Sequence, residues 1–184
     1  MKKKHWYILA PFLMAALIFF DQLTKYLARR DLADEPFTII DKVFQLKLLS
    51  NKGAAWGILQ GRVSILSFIS IALVAVLVYF FIRIPEDKKF HALRILFIFV
   101  CAGAIGNLID RFWMGGVTDF LYIELIDFPI FNVADIYITF SMVLVAVLLI
   151  FYYKDDDLDF FSFGKMKEKD NKSEGNTDKD DTEV

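Results

Sequence analysis

Apolar residues along the chain fall in blocks that almost no charge interrupts. The first block runs from Trp6 to Phe20 and continues in helical register through Asp21, Lys25 and Ala28. A basic start before an apolar run also suits a secretory leader. However, Leu17, Ile18, Phe19 and Phe20 stand where small residues should mark cleavage, so residues 6–28 are predicted as a span. Val63 to Ile82 holds 20 residues without a charge, enough to cross a ~30 Å hydrocarbon core at ~1.5 Å per residue, and a second span is predicted over about 63–84. A third span is predicted over 92–112, where Ala102 and Gly106 form a small-xxx-small pair that lets helix backbones approach. The fourth is predicted over 133–153. Between spans one and two, Phe37, Ile39 and Ile40, then Val43, Phe44, Leu46 and Leu48, alternate in part with polar residues. That period suits short strands, and Asn51, Gly53 and Gly57 mark a turn-rich break after them. The expected architecture is an all-α membrane protein: a four-helix transmembrane bundle with a small extracytoplasmic β-sheet cradle over about 30–57.

Composition agrees with the pattern. The chain has 184 residues, 57% of them hydrophobic, well above a soluble domain. Residues 154–184 carry 11 acids and 6 bases, a local balance of −5 inside a net charge of −2. This segment is predicted as a disordered, charged cytoplasmic tail, leaving residues 1–153 as one transmembrane domain. No basic stripe interleaved with aromatics supports nucleic-acid binding. One cysteine, Cys101, and two histidines, His5 and His91, give no metal-ligand cluster, and neither a metal nor a cofactor is expected. Cys101 reads as a buried packing residue; Trp6, Trp56 and Trp113 read as interfacial anchors.

Positive charge sets the expected orientation. Three lysines precede span one, and Arg83, Lys88, Lys89 and Arg94 flank the second turn, whereas Arg111 alone serves the third connection. Both termini are therefore expected in the cytoplasm. Arg29, Arg30, Lys42, Lys47, Lys52 and Arg62 conflict with this, lying on the expected outer side.

On that topology, polar groups converge on one leaflet. Asp21 and Lys25 lie at the outer end of span one, Asn107, Asp110 and Arg111 at that of span three, and Asn132 and Asp135 at the start of span four; Asp119 lies in the connection between the last two. Charges inside a span are costly, ~2.5–3.5 kcal/mol at the centre on insertion scales, and mark function by default. Asp21 and Lys25 are i,i+4, Asn107, Asp110 and Arg111 are i, i+3, i+4, and Asn132 and Asp135 are i,i+3, so each helix presents one polar patch. Two adjacent carboxyls that share a proton can hydrolyse a peptide bond, one activating water and the other donating a proton. Spacing does not choose the pair among four aspartates. Asp21 and Asp110 have cations nearby in sequence, Lys25 and Arg111, while no Lys or Arg occurs from Phe112 to Tyr153; this favours Asp119 and Asp135. On residue type alone, Asp135 also suits a helix cap, and Asn51 beside Gly53 a turn.

Taken in order, Asp21-Gln22-Leu23-Thr24-Lys25, Asn51-Lys52-Gly53-Ala54-Ala55-Trp56, Gly106-Asn107-Leu108-Ile109-Asp110-Arg111 with Gly116-Val117-Thr118-Asp119-Phe120, and Phe131-Asn132-Val133-Ala134-Asp135 resemble the motif set of lipoprotein signal peptidase, the bacterial signal peptidase II family. The resemblance covers about 6–153. It implies a membrane aspartic endopeptidase of the bacterial cell membrane that removes signal peptides from diacylglyceryl-modified prolipoproteins, cutting before the lipid-bearing cysteine. It implies Asp119 and Asp135 as the catalytic dyad, near the outer face. Asn51, Gly53, Asn107, Asp110, Arg111, Asn132 and Ala134 are implied to bind substrate or support the site, with Asp21 and Lys25 as a supporting pair. Membrane lipid is the expected surrounding partner, and a monomer the expected state. A proton-coupled transporter would instead need polar residues through the depth of a helix pair, and a non-catalytic scaffold would be indifferent to the aspartates.

Overall fold

The computed structural model describes residues 3–53 and 58–161. Four helices are long and apolar enough to cross a bilayer: α1 (Lys3–Asp31), α2 (Val63–Arg83), α3 (His91–Met114) and α4 (Val133–Phe151). Three strands, β1 (Phe37–Ile40), β2 (Phe44–Asn51) and β3 (Val117–Ile123), form an antiparallel sheet in the order β1-β2-β3. Thr38 pairs with Gln45 across the first ladder; Leu49 pairs with Asp119 and Ser50 with Thr118 across the second. The small sheet expected over about 30–57 is present, and it extends beyond that segment. Its third strand comes from the connection between α3 and α4, where a motif, not a period-two pattern, had drawn attention.

The third helix is the centre of the bundle. Its span is 61% buried within the protein, against 11–17% for the other three, and α1, α2 and α4 each pack against it. Small residues allow this. A Cβ on Gly103 would stand 2.6 Å from the Ala134 carbonyl oxygen, and one on Gly106 would stand 2.5 Å from Asp21 Oδ2. Ala102 is fully buried. Lipid-facing apolar side chains cover the outer helices, since the bilayer takes the place of a core for them. Gly115 ends α3 in the left-handed conformation at φ 68°, which turns the chain directly into β3.

At the opposite end, Arg94 is buried and donates to the Ile84 carbonyl at 2.6 Å and more weakly to those of Phe81 and Pro85. It thereby satisfies the end of α2, whose last carbonyls lack helical partners. Its guanidinium lies 5.7 Å from the Trp6 ring. Trp6 is 3% exposed, so it is a packing residue of this cluster and not the expected interfacial anchor. Trp113, 76% exposed, is free to anchor; Trp56 lies outside the described residues. Cys101 is buried.

The chain beyond α4 also departs from expectation. Asp155–Phe161 forms a 3-10 helix. Phe160 is buried against Phe90, which stacks on Tyr153 at 5.2 Å, and Asp157 pairs with Lys89. Aromatic burial outweighs the acidic composition of this stretch, so a solvated tail cannot begin at 154. Residues 162–184 lie outside the described residues.

Candidate active site

The site is built from α1 outward. Asp21 and Lys25 occupy one face of α1, and the ammonium lies 3.0 Å from Asp21 Oδ2 and 3.5 Å from Asp110 Oδ2 on α3. Its third donor reaches Asn107 Oδ1 at 2.8 Å. All three N–H groups of Lys25 are thereby used, and neither Lys25 nor Asp21 is exposed. A buried ion pair survives only when its remaining polar atoms are also bonded, and here they are. Asp21 Oδ1 accepts the backbone N–H of Ala134 at 3.0 Å, and Asp110 Oδ2 accepts that of Thr118 at 2.8 Å. Gln22 bridges both acids and the Gly106 carbonyl.

Asn107 passes the network from α3 to α4. Its carbonyl oxygen accepts from Lys25 and from Asn132 Nδ2, and its own amide donates to Asp135 Oδ1 at 2.8 Å. Asn132 caps α4: its side chain accepts from Asp135 N while Asp135 Oδ2 accepts from Asn132 N at 3.1 Å, a reciprocal capping box. The free end of the Asn132 amide donates to Asp119 Oδ1 at 2.6 Å. One residue therefore holds both carboxyls, Asp135 through its backbone and Asp119 through its side chain. Asn51 Nδ2 donates to the other oxygen of Asp119 at 2.9 Å, and its orientation is fixed because its carbonyl accepts the Gly53 N–H. Gly53 has a second role. A Cβ there would meet Gln60 Oε1 at 2.5 Å and the Ile58 carbonyl oxygen at 3.1 Å, so a side chain at this position would have to displace Gln60 and press on the backbone.

Asp119 is 2% exposed. Burial, and after it the negative charge of Asp135, push its carboxyl up to about 6, against the pull of the Asn51 and Asn132 amides and the charge of Lys25. The contrast with Asp21 and Asp110 is one of donors: those two touch Lys25, whereas Asp119 and Asp135 are bonded by neutral amides. The polar cluster holds four carboxyls (Asp21, Asp110, Asp119, Asp135) and three cations (Lys25, Arg29, Arg111). One proton on the Asp119–Asp135 side brings its formal charge to zero. That is the state in which a carboxyl pair can serve as acid and base together. Among the described residues no group of His, Cys, Asp and Glu has an arrangement that could hold a metal.

The structure brings together every site residue named from sequence, but not always with the partner expected. Asp110 does not pair with Arg111; it pairs with Lys25 and, at 3.8 Å, with Arg29. Arg111 lies within electrostatic reach of Asp110, Asp119 and Asp135. Ala134 contributes its backbone N–H and its smallness. Gln22 and Thr118 stood inside the motifs without an assigned role, and sequence reasoning gave Arg29 no part in the site. Arg29 carries a usable signal, standing four residues beyond Lys25 on the face that Asp21 begins.

Residues 13–151 match the model of the family described as Signal peptidase (SPase) II. The lipoprotein signal peptidase of Staphylococcus carnosus strain TM300 is 36% identical over 154 residues, covering 82% of this chain and 96% of that protein. That of Staphylococcus aureus is 35% identical over 153 residues, covering 82% and 93%. Among solved structures, a bacterial membrane enzyme determined at 2.3 Å by the in meso method superposes with a TM-score of 0.67. It is 33% identical and covers 77% of this chain and 87% of its own. A second, at 1.9 Å, gives 0.65, with 33% identity and coverage of 78% and 94%.

Proposed function

This multi-pass membrane protein belongs to the signal peptidase II family, and from that premise we propose that it cleaves signal peptides from diacylglyceryl-modified prolipoproteins, with Asp119 and Asp135 as the catalytic pair. The observation that carries the reading is the grip of Asn132 on both carboxyls. A single residue that bonds to each acid fixes their separation as no pair of independent contacts would.

The chemistry follows from one shared proton. The ionised carboxylate takes a proton from water, whose oxygen attacks the scissile carbonyl carbon. The protonated carboxyl donates to the developing oxyanion. Collapse of the tetrahedral intermediate breaks the C–N bond, and the amide nitrogen leaves as an amine after receiving a proton from the pair. The signal peptide departs with a new carboxylate, and the lipid-bearing cysteine becomes the new N-terminus. Asn51, Asn107 and Asn132 hold the carboxyl oxygens in place. Asp21, Lys25 and Asp110 supply the charged scaffold, and the charge of Arg111 lies within reach of both acids.

In this reading the site lies near the outer face and both termini are cytoplasmic, as the basic residues before α1 and around the α2–α3 turn favour. The sheet serves as a cradle for the extended cleavage segment, and β1 exposes Phe37, Ile39 and Ile40 at the level where a lipidated chain would emerge. The test is cleavage of a lipid-modified prolipoprotein by the purified protein in detergent. Asp119→Asn and Asp135→Asn are each expected to lower the rate by at least ~10²-fold, with cleavage before the lipidated cysteine and no loss on chelation. Wild-type rates in either variant would remove the dyad. A transporter reading is disfavoured because, Arg94 at the opposite end apart, the buried charged groups cluster at one end of the helices and do not form a chain through them.

A further inference from the structure

We propose that Arg29 is a positioning residue for the hydrolysis, acting through Thr118 as the far end of a three-residue ruler on α1; the proposal rests on the assignment of Asp119 and Asp135 above. Asp21, Lys25 and Arg29 stand at i, i+4 and i+8, one face of one helix. Eight residues of helix set the two ends about 12 Å apart along a stiff rod. At the first end, Asp21 Oδ1 accepts the N–H of Ala134, the residue directly before Asp135. At the last, Arg29 Nη1 donates to the hydroxyl of Thr118 at 2.7 Å, the residue directly before Asp119. In the middle, Lys25 ties the ruler to α3 through Asn107 and Asp110. Each acid of the pair is thus held by α1 one residue upstream, and α1 contributes neither acid.

Thr118 needs such a hold. Its strand pairs with β2 at Ser50 and Leu49, but the ladder is broken between Leu46 and Leu49, where the register shifts. The ladder sets the register of this end of β3 against β2, through Asn51, Ser50 and Leu49, but it does not tie the strand to α1. On the helix side, Asp110 Oδ2 takes the Thr118 backbone N–H at 2.8 Å and Arg29 takes the hydroxyl. Arg29 also lies 3.8 Å from Asp110 Oδ1, so residue 118 is clamped from both sides. Arg29 bonds to the Thr118 hydroxyl and lies against Asp110; the role proposed for it is geometric. This also gives a use to one of the positive charges that conflicted with the expected orientation.

The test is steady-state kinetics on Arg29→Met, Thr118→Val, the double variant and Arg29→Lys, purified in detergent with a lipid-modified prolipoprotein. A small misplacement of reacting groups costs one to two orders of magnitude in rate. Both single variants are expected to lose about tenfold in kcat with KM within about twofold, because only the geometry of the bound state changes. The pH limbs of kcat should stay in place. The double variant should be no slower than the slower single, since both break one contact, and Arg29→Lys should recover part of the rate by donating to the hydroxyl. Thr118→Val removes only the acceptor and keeps the test valid if Arg29→Met folds poorly. Unchanged kcat in Thr118→Val, additive losses in the double variant, or a raised KM at constant kcat would each overturn the proposal. Asp119→Asn in the same assay separates the two claims. If it cleaves normally, the dyad fails; if it is inactive while Thr118→Val is unimpaired, only the ruler fails.

Discussion

Replacing Asp119 by Asn should let the protein gain stability on the wild type as pH rises, although it should abolish hydrolysis. The folded protein binds a proton at Asp119 with a value near 6, against an ordinary 3.8. Because the folded value is raised, the proton's contribution is complete below the unfolded value and is lost as pH rises through about 6. Roughly two units at ~1.4 kcal/mol each place about 3 kcal/mol in that window, and the near-complete burial of the side chain supports using the full figure. The Asn variant has no such titration. It does carry a fixed cost: Asn51 and Asn132 donate to opposite oxygens of Asp119, so the new amide must turn an NH2 toward one donor, at ~1–3 kcal/mol. That cost does not depend on pH. The diagnostic quantity is therefore the change in the stability gap between pH 4 and pH 7.5, not the gap at one pH. Thermal unfolding of both proteins in one detergent, at a fixed scan rate, measures it. With ~2–4 °C per kcal/mol for a chain of this size, the variant should gain several degrees on the wild type across the range. A gap that stays constant, or a variant that loses ground to the wild type as pH rises, would mean that Asp119 is not ionised against its surroundings at neutral pH, and the argument for a shared proton would lose its basis.

Three other perturbations probe the scaffold. Lys25→Met leaves Asp21 and Asp110 buried without their cation and should cost about 3–5 kcal/mol, read as a lowered unfolding midpoint or loss of folded protein in detergent. Gly106→Ala places a Cβ 2.5 Å from Asp21 Oδ2, an atom held by Lys25 and Gln22. Overpacking of this kind costs about 1–3 kcal/mol, so a variant as stable as wild type would show that α1 and α3 can separate there freely. Phe160→Ala empties a buried aromatic position between Phe90 and Phe161 and should cost about 3 kcal/mol. Cleavage at a permissive temperature should be unchanged, because the cluster lies at the end of the bundle away from Asp119.

The four spans were legible because a bilayer demands length and apolarity before anything else, and those are properties of contiguous sequence. Strand β3 was not, because Val117–Ile123 is mostly buried on both faces at its start and so lacks the alternation that marks a half-exposed strand. Phe160 was hidden by its acidic neighbours: composition averages over a segment, while burial is decided by one side chain and the cavity it meets. In both cases the missing information was what the element packs against.

The pairing of charges shows the same boundary within the site. Helical spacing correctly put Asp21 and Lys25 on one face, because i,i+4 neighbours meet whatever the surroundings. It could not give Asp110 its partner. Asp110 and Arg111 are adjacent in sequence and therefore diverge around the helix, and the cation that reaches Asp110 comes from α1. The absence of Lys and Arg near Asp119 and Asp135 in sequence was likewise no guarantee of isolation, since the charge of Lys25 acts on Asp119. What separates the two pairs of acids is the kind of donor in contact. An ammonium at 3.0 Å compensates the charge of Asp21, whereas the asparagine amides that touch Asp119 and Asp135 fix position and carry no charge of their own. A pair held by neutral donors is oriented for chemistry and still has reason to share a proton. That distinction depends on which side chains touch, which only the rotation of α1, α3 and α4 about one another decides.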